Sequence, residues 1–598
     1  VLKPYCLVHT IRAIAAPLCI APLIAAISVL SYAQESMVEN IIDEHWAWVL
    51  SEYPEMRLEY GDRSGNTLWS DVSPSAHQRR YEQQQAFVNA LTAIEPSSLG
   101  SESRLNRTML LRELRDDIAD YENGMHLMAI NMRSGPQHQY TMAERLSFTS
   151  EQDYRDWLER LKALPSLLTQ TQRLLQQGIA QQRTQADIVM RRVPDQISRV
   201  ITDDITNSPY YAVFRDIPDA IDTDTAKALK ISAQQVISEI INPAYRRFGT
   251  FMADEYLSAT RQQPGLGSLP QGKAAYRQQV AKYTTTDLTP EAIHQIGIDE
   301  VARIRHAMLG VIDAVGFEGD IEAFNEFLRT DPQFYYPTPE ALLEGYQAIS
   351  KRLDPQLIQL FGKLPRMPYG VRPIPAAIAP DTTTAYYMRP AVDGSRPGWY
   401  YVNLYRPEVR PIFEMEVLSV HESVPGHHLQ IALAQELGNL PHFRRNSSVT
   451  AFIEGWGLYS ERLGYDMGLY QDPYSRYGQL VYDMWRAVRL VVDTGIHYFG
   501  WTRQQAIDYF KANAAKTEAD ITNEIDRYIG WPGQALAYKI GQLKILALRT
   551  EAEQALGDKF DIRAFHDELL GAGAIPLDAL EARMREWLHR TLNSTTDP

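Results

Sequence analysis

Eight consecutive residues, His421-Glu422-Ser423-Val424-Pro425-Gly426-His427-His428, constrain this chain more than any other segment. Three of its 14 histidines fall here, and a carboxylate follows the first directly, the order in which zinc hydrolases set a ligand and a base. The common arrangement puts a second histidine four residues after the first, so that both share one helical face, but position 425 is proline. On an undisturbed helix, at about 100° per residue, His427 would point roughly 240° away from His421, and His428 would return to the same face about 10.5 Å along the axis. Neither suits one ion. Pro425 lacks an N–H and collides with the carbonyl of His421, and Gly426 tolerates unusual dihedrals. The sequence therefore predicts a helix that breaks at Pro-Gly and a turn that returns His427 or His428 to His421.

The chain around this run has 598 residues, 45% hydrophobic and 22% charged, with a mean hydropathy of −0.32, a composition that excludes disorder and a multi-span membrane protein. Lys3 and Arg12 precede an apolar stretch from Ala13 to Leu30, and Ser31-Tyr32-Ala33 offers small residues for cleavage before Gln34. Residues 1–33 are thus expected to be a cleaved secretory signal, with an uncleaved anchor as the alternative, and the mature protein to be periplasmic or secreted with no stable membrane span. Leu18 before Cys19 argues against lipid attachment there. Cys6 and Cys19 are the only cysteines and both fall in this segment, so the mature chain would hold together by packing without disulfides. Without Lys3 and Arg12 the formal charge moves from −15 to about −17, and no basic cluster is present, which disfavours a nucleic-acid partner.

Helix signals dominate the rest. Ser150 with Asp153 forms a capping-box pattern ahead of Tyr154, Trp157, Leu158, Leu161 and Leu164. Thr289-Pro290-Glu291 and Thr338-Pro339-Glu340 each set an N-cap before proline at the first helical position, followed by apolar residues at helical spacing. The loop Pro264-Gly265-Leu266-Gly267-Ser268-Leu269-Pro270 divides an N-terminal helical region, 34–263, from a catalytic region, 264–598, of what is expected to be one continuous fold. The exception to helix lies between Thr382 and Tyr405. Thr384–Met388 and Trp399–Asn403 are rich in aromatic and β-branched residues and flank Asp393-Gly394-Ser395, so they predict a hairpin just before the histidine run.

A hydrolytic zinc needs about three protein ligands and an open position. On the gluzincin plan the third ligand comes from a following helix. Glu454, in Phe452-Ile453-Glu454-Gly455-Trp456-Gly457-Leu458-Tyr459-Ser460-Glu461, lies 33 residues after His421, and Glu461 is the alternative on nearly the same helical face.

These segments resemble a known family. His421-Glu422 through Pro425-Gly426-His427, then Glu454-Gly455-Trp456, then Pro532-Gly533-Gln534-Ala535-Leu536-Ala537-Tyr538-Lys539-Ile540-Gly541 look like the domain of unknown function 885 family. Tyr283-Thr284-Thr285-Thr286, Thr289-Pro290-Glu291 and Ile293-His294 extend the likeness over nearly all of the mature chain. The resemblance implies a bacterial zinc metallopeptidase distantly similar to helical gluzincins such as thimet oligopeptidase and angiotensin-converting enzyme. It implies a mainly α fold, a large helical body with a deep cleft and a small β-hairpin or sheet beside the metal. In the family pattern the Gly-His pair recurs, which favours His427 over His428.

The expectation is one zinc ion held by His421, His427 and Glu454, with Glu422 the base that takes a proton from the attacking water and returns it to the leaving amine. By analogy with the helical gluzincins, Tyr538 or His497 steadies the developing oxyanion. Arg489, Asp493 and His497 recur every four residues on one helical face, where they could orient a ligand, bind a substrate carboxylate or form an internal ladder. Tyr400, Tyr401 and Asn403 are expected to line a strand edge that pairs with an extended peptide. Gly533 and Gly541 read as sites of close helix approach. The competing readings are a zinc amidase or esterase acting on a cell-wall or other non-peptide substrate, and a non-catalytic periplasmic binding protein.

Overall fold

The computed structural model describes residues 20–376, 379, 383–391, 394 and 396–594. Lys3, Arg12, both cysteines and most of the expected signal, together with Asp393 and Ser395 of the expected hairpin turn, lie outside the described residues. Helix accounts for 72% of the structure and strand for 3%, so the mainly α expectation holds and the site depends on how helices are held together. Among the described residues no helix is long and apolar enough to cross a membrane.

The helices start where their caps predict. In α1 (Glu151–Ala180) the Asp153 carboxylate accepts the Ser150 backbone N–H at 2.7 Å, closing the capping box. After α2 (Gly272–Thr284), α3 (Pro290–Ala314) begins with the Thr289 hydroxyl accepting the Ala292 N–H at 3.2 Å. Thr338 does the same for α4 (Pro339–Leu353). The stripes read from the sequence face inward: Trp157, Leu161 and Leu164, and Ile293, Ile304 and Met308, are all buried.

The second half builds the site from α5 (Met415–Glu422), α6 (His427–Glu436), α7 (Thr450–Leu463), α8 (Pro473–His497), α9 (Glu518–Gly530) and α10 (Ala537–Leu556). Helix α8 is buried from Tyr477 to Met484 and from Arg486 to His497, because α3, α5, α9 and α10 all pack around it. Helices α7 and α10 cross at two glycines. A Cβ on Gly455 would sit 2.5 Å from Gly541 Cα, and one on Gly541 would strike the Ala451 carbonyl oxygen, so the close-approach expectation for Gly541 is met.

One three-stranded sheet stands before α5. Its strands are β1 (Tyr369–Pro373), β2 (Ala385–Met388) and β3 (Gly398–Val402), in the order β1-β3-β2. The predicted hairpin is the antiparallel pair β2/β3, with Tyr387 opposite Tyr400, and β1 adds in parallel on the far side, with Val371 opposite Tyr400. Strand β3 is therefore central, and both its edges are taken.

Among the described residues two large cores, with a small third cluster of Ile374, Ala379 and Tyr401 beside the sheet, hold the molecule. One runs from Val38 to Leu588 in sequence and the other from Ile130 to Ala535, so each draws on both sides of residue 263. The loop expected to separate two regions is itself packed inside: Leu266 is fully buried, and its N–H donates to His497 Nδ1 at 2.9 Å. It does not behave as a linker.

Candidate metal centre

The turn between α5 and α6 makes the site. Helix α5 stops at Glu422, and the chain folds back until the Gly426 N–H donates to the Val420 carbonyl at 3.0 Å. A side chain at Gly426 would collide with the carbonyl oxygens of His421 and Val420, so only glycine passes here. Trp456 fixes the turn from α7, its indole N–H donating to the Pro425 carbonyl at 2.8 Å. His427 then opens α6 beside His421, with the two rings 4.6 Å apart and nearly perpendicular.

Glu454 completes the cluster. Its Oε2 lies 3.8 Å from His421 Nε2 and 3.6 Å from His427 Nε2, and one donor atom from each of the three residues falls within 4.8 Å of the others. Bonds of roughly 2.0–2.2 Å in a tetrahedral shell separate donors by about 3.4 Å, so this spacing fits a small divalent ion with little adjustment. The donor set, two imidazoles and a carboxylate, is the kind that takes zinc.

Glu461 lies outside the triad and is the partner of His421. The His421 Nδ1–H donates to Glu461 Oε1 at 2.9 Å, which leaves the Nε2 lone pair for a metal, and Arg486 stands 3.4 Å from the same oxygen. Two helical turns separate Glu454 from Glu461 on one face of α7, so a single helix supplies both the ligand and the support. Between them runs Gly457, where a Cβ would lie 2.7 Å from His421 Cε1.

Electrostatics make the cluster a trap for positive charge. Burial works against a charged His421, but hydrogen bonds and charges from Glu454 and Glu461 outweigh it and hold the imidazole at about 9. Burial also opposes ionisation of Glu454, yet His421, His427 and Arg527 keep its carboxyl near 2. His427 is kept neutral by burial, its conjugate acid falling to about 4, and its Nδ1 has no hydrogen-bond partner among the described residues. Beside them desolvation lifts the Glu422 carboxyl to about 7. That value suits a group that takes and returns protons near neutrality.

The other expected residues divide. His428 turns away from the cluster: its Nε2–H donates to the Met367 carbonyl at 3.0 Å and its Nδ1 accepts the Tyr387 hydroxyl at 2.9 Å. Tyr538 is nine-tenths buried at the start of α10, one turn before Gly541, with Arg527 donating to its hydroxyl at 3.3 Å. His497 needs correction as an oxyanion donor, because Nδ1 accepts from Leu266 and the Nε2–H donates to the Tyr528 carbonyl at 2.9 Å. Both ring nitrogens are spent on backbone, and burial drops its pKa to about 3. The remainder of that helical face is equally committed. Asp493 accepts from the Tyr276 hydroxyl at 2.5 Å and the Gly533 N–H at 3.1 Å, while Arg489 donates to Tyr528 Oη at 2.8 Å and pairs with Glu524 at 3.1 Å.

The peptide-edge assignment of Tyr400, Tyr401 and Asn403 fails for a plain reason: they sit on or just after the central strand. Tyr400 is fully buried, Tyr401 stacks on Tyr386 with ring centroids 4.7 Å apart, and Asn403 donates to the Ala379 carbonyl at 2.8 Å. A cavity of about 420 Å³ lies between α3, α8 and α10, lined in part by Glu300, Arg303, Asp483 and Lys539. No residue of the triad lines it, so it is not the cleft expected beside the metal. Sequence reasoning missed Arg486, Glu524 and Arg527. The one available signal was their place on the helices that flank the cluster.

Fold and site together define a class: a large helical protein with a His-His-Glu cluster at a broken helix, next to a small mixed sheet. The chain belongs to the family described as bacterial protein of unknown function (DUF885), whose model matches residues 54–584. It is similar in structure to a candidate lipoprotein from Colwellia psychrerythraea, with a TM-score of 0.87 and 28% identity over 94% of this chain and 99% of that one. A candidate lipoprotein of unknown function from Shewanella oneidensis shares the fold, with a TM-score of 0.70 and 18% identity over 92% of this chain and 98% of that one. No curated protein matches the chain.

Proposed function

We propose that this protein is an exported zinc-dependent metallopeptidase acting on oligopeptides. The observation that carries the reading is the convergence of His421, His427 and Glu454 to within 4.8 Å, with the Glu422 carboxyl raised to about 7 beside them. Zinc in such a cluster supplies Lewis acidity, polarising a carbonyl and acidifying water.

The chain's own residues do the rest. His421, His427 and Glu454 hold the ion, and Glu461 fixes the His421 ring so that Nε2 faces it. Glu422 takes a proton from the attacking water and hands it to the leaving amine. Tyr538 receives a hydrogen bond from Arg527, its own O–H donates to no group among the described residues, and it is the donor to the developing oxyanion. Strand β2, packed against α5, has its outer edge unpaired by any strand among the described residues, and is the edge along which an extended peptide would lie. Export is part of this reading and agrees with a solved relative described as a lipoprotein.

The test is zinc content together with hydrolysis of a mixed peptide library, for wild type and Glu422→Gln. The variant should retain its metal and lose at least about 100-fold in turnover. Intact metal with unchanged turnover would reject Glu422 as the base.

A further inference from the structure

The cavity of about 420 Å³ between α3, α8 and α10 gathers charge that the metal cluster does not use. Four charged groups along one wall cancel. Glu300 pairs with Arg303 at 2.8 Å and with Lys539 at 2.9 Å, and Asp483 pairs with Arg303 at 2.9 Å and also with Lys539. Lys539 and Asp483 are buried, so this quartet of two anions and two cations is closed and offers a ligand no net charge.

The rest of the lining is not balanced. Arg462, at the end of α7, and Arg476, in the first turn of α8, line the same space, and neither forms an ion pair among the described residues. The Arg462 guanidinium lies over the Tyr465 ring, 4.5 Å from its centroid, and the Tyr465 hydroxyl donates to Gln479 Oε1 at 3.2 Å. Burial disfavours ionisation of that hydroxyl while the charges of Arg462 and Arg476 favour it, so both guanidiniums stand near it. Val311, Leu480, Leu543 and Leu546 add apolar surface. Gly310 lines the cavity from α3, and a Cβ built there has no neighbour within 4 Å.

A cavity of this volume suits a small organic molecule. Two guanidinium groups from different helices, with no anion of the protein to satisfy them, match a group that carries close to two negative charges and several acceptor oxygens. A carboxylate brings one charge, and a single guanidinium holds it fully. In a chain of net charge −15, this surplus of two cations belongs to the site and not to the composition. We propose that the cavity binds a small phosphate monoester, with its phosphate between Arg462 and Arg476 and its apolar part against Val311, Leu480, Leu543 and Leu546. The site is separate from the candidate metal centre, none of whose three ligands lines it, and it holds whether or not the protein is a peptidase.

The experiment is calorimetric titration of the zinc-loaded full chain with hexyl phosphate, hexanoate, hexanol and inorganic phosphate. Hexyl phosphate should bind once per chain, at least about tenfold more tightly than hexanoate or inorganic phosphate, and hexanol should not bind. The double variant Arg462→Gln/Arg476→Gln should weaken hexyl phosphate at least about tenfold. Both side chains are exposed, so the fold should survive, with an unchanged melt by circular dichroism. Gly310→Phe keeps both arginines and fills the cavity from a helix that tolerates the change, and it should weaken hexyl phosphate by a similar factor while leaving inorganic phosphate unaffected. Absence of hexyl phosphate binding overturns the proposal, as does hexanoate binding equally well, because the site then reads a single charge. Affinity that survives in the arginine variant but is lost in His427→Ala also overturns it, since the phosphate then sits at the metal centre.

Discussion

A methyl group added at Gly457 would meet three atoms of the His421 ring at 2.7 to 3.1 Å, and one at Gly426 would strike the backbone that turns His427 inward. The three candidate ligands are thus positioned by residues outside the triad. Gly457→Ala should lower zinc affinity at least about tenfold while the protein stays folded, measured by competition with a chromophoric chelator and by circular dichroism. Unchanged affinity would show that the His421 ring is free to shift. Glu461→Gln should cost about 10- to 100-fold in the same titration, because the His421 tautomer loses its anionic partner. Much of this was open to reading in the sequence: His421, His427 and Glu454 were named, and the broken turn was expected from Pro425 and Gly426. The choice of His427 over His428 came from the family pattern and not from helical geometry. Once a helix is interrupted its phase carries no information across the break, and the answer is set by the single path the chain can take past Gly426.

At the scale of elements, α7 and α10 touch through Gly455 and Gly541, and their contact carries Glu454 on one side and Tyr538 on the other. Gly541→Ala must push the Ala451 carbonyl aside and should destabilise the protein by about 1–3 kcal/mol in urea unfolding. Full stability would mean the two backbones are not that close. Helix α8 offers a test by pH. Burial lifts the Asp493 carboxyl to about 7, against 3.8 in the unfolded chain, so its contribution is fully present below about pH 4 and is lost as pH rises through 7. Asp493→Asn removes that loss. The variant should gain on wild type steadily between pH 4 and 7, reaching about 4 kcal/mol, and a difference that stays constant over that window would contradict the assignment. Capped helices announced themselves in the sequence because a cap is local. Strand β1 did not, because its pairing with β3 joins residues nearly 30 positions apart, and without it the second strand of the hairpin looked like an edge. The even spacing of Arg489, Asp493 and His497 was real, but three different neighbours claim that face.

Over the whole molecule, two interleaved cores each draw on residues from both sides of the loop at 264–270. The Pro-Gly composition of that loop signals a turn and says nothing of whether the turn is buried. Leu266 makes it part of the core, and Gly265 and Gly267 let it lie against the end of α8. Expressed alone, residues 264–598 should therefore be unfolded by circular dichroism, each core having lost its partners from the first half; a cooperative melt of that fragment would restore the division. A chain with no disulfide outside residues 1–33 relies on this packing to keep three donors from separate helices in register. The most direct measurement is metal stoichiometry by mass spectrometry after zinc reconstitution, on wild type, His427→Ala and His428→Ala. One tightly held ion per chain in wild type and His428→Ala, with none in His427→Ala, is the expected result. No ion in wild type, or loss in His428→Ala with retention in His427→Ala, would contradict a single metal held by His421, His427 and Glu454.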